Sequence, residues 1–222
     1  MTGLDYERRQ LYSYRVVVTD AGLPRRSSTG DLDIEVVDVD DELPVFAVAE
    51  YHFRVAENLP IGAVVGGVDA VDGDLNPEFR RVVYSTGNGV EEAASEMLAV
   101  DRRTGEIRTT AVLDRETTPS LTFRVFAADP DKPEVTSLSR CDVIVGVDDE
   151  NDNGPTFVFP NDVNHTVSVN PEVVVAGTRL VRLEALDPDE GLNALVKFFV
   201  EKDDSHLGLE VESSSGLSNI CF

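Results

Sequence analysis

Apolar residues in this chain occupy alternate positions in short runs that are separated by Gly, Pro, Asp and Asn. Leu121, Phe123, Val125 and Ala127 form one such run, and Cys141, Val143, Val145 and Val147 form another. A side chain on the same face at every second residue is the period of a strand, and no long window carries the period of a helix. The pattern predicts an all-β protein built from antiparallel strands.

The runs recur. Leu4-Asp5-Tyr6-Glu7 returns as Leu113-Asp114-Arg115-Glu116, and the same spacing of 109 residues carries Tyr12, Tyr14, Val16, Val18 and Asp20 onto Leu121, Phe123, Val125, Ala127 and Asp129. At a spacing of 111, Leu32, Ile34 and Val36 match Val143, Val145 and Val147, and the acidic string Asp38 to Phe46 matches Asp149 to Phe157. At 115, Glu57, Gly62, Val68, Ala70, Asp72 and Asp74 return as Glu172, Gly177, Leu183, Ala185, Asp187 and Asp189. The SSSGL string, Ser213 to Leu217, parallels RRTGE, Arg102 to Glu106. A fixed period governs how the rest of a chain is read. Here it predicts the later part of one repeat at 1–43, a complete repeat at 44–154 and the earlier part of a third at 155–222, so that the first and third are incomplete. About seven apolar runs fit the complete repeat, the strand count of a two-sheet sandwich. A Cys, Trp, Cys triplet of the immunoglobulin kind does not occur, since the chain holds no tryptophan.

Charge narrows the choice of partner. Against 42 acidic residues stand 19 basic ones, a formal net charge of -23 that repels phosphate backbones and anionic membrane surfaces. Nucleic acid is excluded as a partner, and a cation is the natural one; the plainer alternative is an acidic surface that serves solubility. Cys141 and Cys221 are too few for a disulfide framework, and Cys141 reads as a small apolar core residue. No stretch reaches the ~20 apolar residues of a membrane span, and Met1 to Arg9 lacks the apolar centre of a signal peptide. With a repeat that starts and stops in mid-unit, the chain reads as an excerpt of a longer protein.

The acids fall at strand ends and in the connecting strings, so the fold would gather them where repeats meet. Calcium accepts roughly 6 to 8 oxygen ligands in flexible acidic loops. Histidine and thiolate sets suited to zinc or copper are not on offer. His52, His165 and His206 are scattered and carry no recurring nucleophile or acid. An acid pair such as Asp187 and Asp189 also allows hydrolytic chemistry, yet no separate acid or substrate pocket accompanies it, so the chain is read as a non-enzyme. The sequon Asn164-His165-Thr166 makes Asn164 a glycosylation site in a secreted setting.

Taken in order, Glu57, Asp72 with Asp74 and Asn76, LDRE at 113–116, Ala127 with Asp129, and DENDN at 149–153 resemble the motif series of the cadherin superfamily over nearly the whole chain. The resemblance implies tandem seven-stranded Greek-key β-sandwiches with calcium ions at the junctions between them. For the second junction it implies Glu57, Asp114 and Glu116, then Asn151 and Asp152 with the carbonyls of Glu150 and Asn153, then Asp187, Asp189 and the carbonyl of Asn193. For the first it implies Asp5 and Glu7, Asp40 and Asp41 with the carbonyls of Val39 and Glu42, then Asp72, Asp74, the carbonyl of Asn76, and Asp129. Asp40 and Glu42 stand where the family has Asn, Asp131 stands where it has Gly, and DGDLN lacks the glycine that Gly191 supplies in DPDEGLN. Asp20 and Glu172 match family acids whose partners are not in this chain.

The implied function is calcium-dependent, homophilic cell-cell adhesion with other cadherin ectodomains as partners. It places the repeats outside the plasma membrane, on a parent protein anchored there. A calcium-stiffened spacer in a long ectodomain is the alternative. The missing tryptophan excludes the strand exchange made through an N-terminal Trp, which leaves a protocadherin-like or Fat- and Dachsous-like subgroup.

Overall fold

The computed structural model describes residues 3–86, 92–132, 139–170, 172, 175, 178–199, 208–212 and 217–221. The chain divides into two compact units, one of residues 1–53, 60–111 and 121–145 and the other of 54–59, 112–120 and 146–222. Gly177 and the SSSG of the SSSGL string lie outside the described residues.

Strands β1 (Leu11–Thr19) and β2 (Ser27–Glu35) form an antiparallel hairpin with Tyr12 opposite Ile34 and Tyr14 opposite Leu32. There follow β3 (Val45–Phe46), β4 (Glu50–Ala56), β5 (Val64–Gly67), β6 (Ala70–Val71), β7 (Val83–Thr86), helix α1 (Glu92–Met97), β8 (Leu98–Val100), β9 (Glu106–Thr109), β10 (Ser120–Ala128) and β11 (Arg140–Asp148). They make a four-stranded sheet in the order β4-β11-β10-β7, a three-stranded sheet β5-β9-β8 and the short pair β3-β6. Seven strands in two sheets, with neighbours far apart in sequence, are the predicted sandwich.

Both apolar runs are interior, as alternation requires. Leu121, Phe123, Val125 and Ala127 of β10, and Cys141, Val143, Val145 and Val147 of β11, are all buried, together with Ile107 of β9 and Leu98 of β8. The Phe53 ring of β4 lies where a Cβ on Gly66 of β5 would sit, at 2.3 Å, so the glycine lets the ring pack against the strand. Tyr84 is buried in β7, and its hydroxyl accepts the backbone N–H of Ala70 at 3.0 Å, which satisfies the polar end of an otherwise apolar side chain. Gly105 turns β8 into β9 at φ +71°; a Cβ there would meet the Val68 carbonyl at 2.2 Å.

The helix is the one departure from the expected all-strand run among the described residues. At six residues it is too short to show a period in sequence, and its last carbonyls are held from outside: Thr110 N–H donates to Met97 O at 2.8 Å, and Thr110 Oγ1 to Glu96 O at 2.7 Å.

In the second unit, β12 (Thr156–Phe159), β13 (Arg179–Leu186), β14 (Gly208–Glu212) and β15 (Leu217–Cys221) form one sheet in the order β12-β13-β15-β14. The internal repeat is visible in its register. Phe157 faces Ala185 just as Phe46 faces Ala70, and β15 lies between β13 and β14 as β9 lies between β5 and β8.

A candidate metal centre in each unit

Carboxylates collect in two clusters, each built within one unit. In the first unit, Asp72 and Asp74 follow β6, Asp129 follows β10, and the string Asp38 to Glu42 precedes β3. The Asp74 N–H donates to Asp72 Oδ1 at 2.9 Å, closing a local turn that carries both acids inward. Glu7, Asp41 and Asp74 bring carboxylate oxygens within 4.8 Å of one another. Leu75 N–H donates to Glu7 Oε1 at 3.4 Å. Asp5 is exposed and uses Oδ1 to accept the Arg8 N–H at 2.9 Å, so it orders the turn beside Glu7. The Asn76 carbonyl accepts the N–H groups of Phe79 and Arg80, at 3.0 and 3.2 Å.

What distinguishes this cluster from an acidic loop is burial without partners. Asp72, Asp74 and Asp129 are 3%, 1% and 2% exposed. Both oxygens of Asp74, both of Asp129, and Oδ2 of Asp72 accept no hydrogen bond. A buried polar atom without a partner costs about 1–3 kcal/mol, and more when charged, so such groups call for a cation or a proton. Burial, followed by the neighbouring Asp72, pushes the Asp74 carboxyl up to about 6. Burial, followed by Asp40 and Asp72, does the same to Asp129, also to about 6.

The second unit holds the other cluster. Glu57, 1% exposed, follows β4 and is clamped: Oε1 accepts the Glu150 N–H at 2.7 Å and Oε2 the Arg115 N–H at 2.8 Å. It lies with Asp114 and Glu116 in one group of carboxylates within 4.8 Å, and Glu116 lies with Asp152 and Asp189 in another. Burial raises the Glu116 carboxyl above the usual range. Asp189 N–H donates to Asp187 Oδ1 at 3.2 Å, repeating the Asp72–Asp74 turn. Asn153 Nδ2 donates to Asp152 Oδ1 at 2.7 Å and to Asp189 Oδ1 at 2.9 Å, while the buried Asp189 Oδ2 has no partner. Gly191 occupies φ +62°, the conformation its position in DPDEGLN demands.

Two side chains here escaped the sequence reading. Arg115 donates to Asp149 at 2.6 Å, to Glu116 at 2.5 Å and to the Pro188 carbonyl at 3.0 Å. Asp149 also accepts the Glu190 N–H at 3.0 Å and the Asn193 amide at 2.9 Å. Burial alone would raise its carboxyl, but these donors and the guanidinium outweigh burial and hold it below the usual range. Asp149 thus binds the linker to the Asp187–Asn193 loop. The repeated first letter of the acidic string was the available signal. In the first cluster, Lys132 and Asp38 were missed in the same way; the Asp38 Oδ1 is also buried and unpartnered.

The geometry fits a hard, oxygen-seeking cation, with carboxylates on several loops and no thiolate or imidazole among the grouped ligands. A cadherin domain model matches residues 51–146, the stretch that carries the sandwich and Glu57, Asp114, Glu116 and Asp129. The chain belongs to the cadherin superfamily. Human protocadherin-1 is 34% identical over the full chain, and mouse cadherin EGF LAG seven-pass G-type receptor 2 is 33% identical over 98% of it. The chain spans only 20% and 7% of those two proteins. Among solved structures, protocadherin gamma B7 extracellular cadherin domains 1–4 superpose with a TM-score of 0.77 at 30% identity, over 98% of this chain and 50% of that one. Mouse cadherin-23 EC22–24 gives 0.68 at 27% identity, over 98% of this chain and 66% of that one. These cadherin repeats contain, among their described residues, no helix long and apolar enough to cross a membrane.

Proposed function

We propose that this chain is a run of extracellular cadherin repeats, divided at 1–43, 44–154 and 155–222, whose two acid clusters bind calcium and thereby support calcium-dependent, homophilic cell-cell adhesion. The observation that carries the calcium reading is the set of buried carboxylate oxygens on Asp72, Asp74, Asp129 and Asp189 that accept no hydrogen bond. Five carboxylates grouped in the second cluster, those of Glu57, Asp114, Glu116, Asp152 and Asp189, repel one another, and divalent cations would supply the missing charge.

In the first cluster the holding residues are Asp5, Glu7, Asp40, Asp41, Asp72, Asp74 and Asp129 with the carbonyls of Val39, Glu42 and Asn76. In the second they are Glu57, Asp114, Glu116, Asn151, Asp152, Asp187 and Asp189 with the carbonyls of Glu150, Asn153 and Asn193. The chain's own groups do the orienting. Backbone N–H groups of Arg115 and Glu150 fix Glu57, Asn153 ties Asp152 to Asp189, and Arg115 with Asp149 anchors the loop that carries Asp187. Asn164 is exposed beside β12, as a glycosylated asparagine must be, and its backbone N–H donates to Asn161 Oδ1 at 2.8 Å.

Small-angle scattering with millimolar calcium and with chelator, and melting curves on the same samples, test the calcium reading. A more extended particle that melts higher in calcium supports it, and no change in either defeats it. Aggregation of beads coated with the chain, in calcium but not in chelator, supports adhesion. Calcium-dependent stiffening without aggregation would instead identify a spacer whose adhesive partner surfaces lie elsewhere in the parent.

A further inference from the structure

The first cluster contains a cation of the chain's own. Lys132 Nζ donates to Asp40 Oδ1 at 2.7 Å and to the Asp40 carbonyl oxygen. Their side chains are 31% and 19% exposed, unlike a surface pair such as Arg15 with Asp31 at 73% and 74%. Exposed pairs contribute at most about 1 kcal/mol, whereas this ammonium also lies in the field of Asp74 and Asp129.

Its position coincides with a change in sequence. Asp40 stands where the other cluster has the neutral Asn151, which adds one negative charge to the first cluster, and Lys132 adds one positive charge opposite it. The lysine satisfies only the Asp40 side. Both oxygens of Asp74, both of Asp129 and Oδ2 of Asp72 stay buried and unpartnered, so the cluster still calls for a metal next to an ammonium already in place.

We propose that Lys132 is a resident counter-ion of the first cluster: it holds the Asp40 side in place of part of the calcium charge, so that this side takes up calcium only as the ammonium withdraws. The inference rests on the calcium reading above. The lysine lowers the repulsion among the acids when calcium is scarce and weakens calcium uptake when it is present, a trade the second cluster does not make at Asn151.

The test uses the full chain with the second cluster disabled by Asp152→Ala and Asp189→Asn, so that calcium heats measured by titration calorimetry report on the first. Lys132→Gln, which keeps a donor but removes the charge, is expected to tighten calcium binding by on the order of tenfold. It should also lower the melting temperature in chelator by roughly 2 °C or more. Asp40→Asn with Lys132→Gln removes both charges, leaving at position 40 the neutral side chain that the second cluster has at Asn151, and should restore the metal-free melting temperature. Unchanged affinity in Lys132→Gln, or weaker binding, overturns the counter-ion role while leaving the calcium reading intact. Absence of any calcium heat before Lys132 is altered overturns the calcium reading of the first cluster, and the inference with it.

Discussion

Acid should stabilise this protein when calcium is absent and destabilise it when calcium is present. Asp74 and Asp129 sit in the metal-free fold with carboxyls pushed from 3.8 to about 6 by burial and by neighbouring acids. A group whose folded pKa is raised favours the fold in its protonated form. That contribution is complete below about 3.8 and is lost as pH rises through about 6. Going from about pH 7 to about pH 5.5, the folded group takes up most of a proton while its unfolded counterpart stays ionised, which integrates to ~0.8 kcal/mol per group. Because the two acids act on each other, about 1 kcal/mol for both together is the reasonable sum, or roughly 3 °C in melting temperature for a chain of this size. The measurement is a set of melting curves by circular dichroism across that range, in chelator and in saturating calcium. In calcium the slope should reverse, since protons compete for the same oxygens. The net charge of -23 also relaxes on acidification, so the deciding comparison is Asp74→Asn with Asp129→Asn, which should melt higher than the parent in chelator at neutral pH and lose most of the pH slope. A double variant with the parent's slope would show that these two carboxyls are not the source.

Other expectations follow from the same geometry. Asp152→Ala removes the carboxylate that groups with Glu116 and Asp189 and accepts from Asn58 and Asn153; calcium binding to the second cluster should weaken at least roughly tenfold by calorimetric titration, because water replaces the ligand without its charge. Cys141→Ser buries a hydroxyl in place of a thiol that is 1% exposed and whose pKa burial pushes up to about 11. It should cost about 1–2 kcal/mol in denaturant unfolding and leave calcium affinity unchanged. Gly105→Ala forces a side chain into a left-handed turn against the Val68 carbonyl, so a loss of at least about 2 kcal/mol is expected by the same assay.

How much of the site could be read in advance depends on which property is asked for. The alternation at Leu121–Ala127 and Cys141–Val147 marked β10 and β11 and their buried faces, because a strand's period is local. Repetition of the acidic strings selected the residues that cluster, since an isolated Asp in a turn is ordinary and a recurring set is not. Helix α1 left no legible trace, being six residues held at its end by Thr110. Lys132 was passed over because its meaning depends on Asp40, 92 residues away, and on the depth of both.

The sequence by itself determined the strand period, the recurrence of the units and the family, all of which reside in residue types at fixed spacing. Only the tertiary structure decided which acids are solvated and which are buried without a partner: Asp5 ended exposed and hydrogen-bonded to its own turn, whereas Asp74 and Asp129 ended with every carboxylate oxygen buried and unsatisfied. Desolvation depends on what the rest of the chain places around a group, and segments far apart in sequence, such as β6, β10 and the string before β3, set it together.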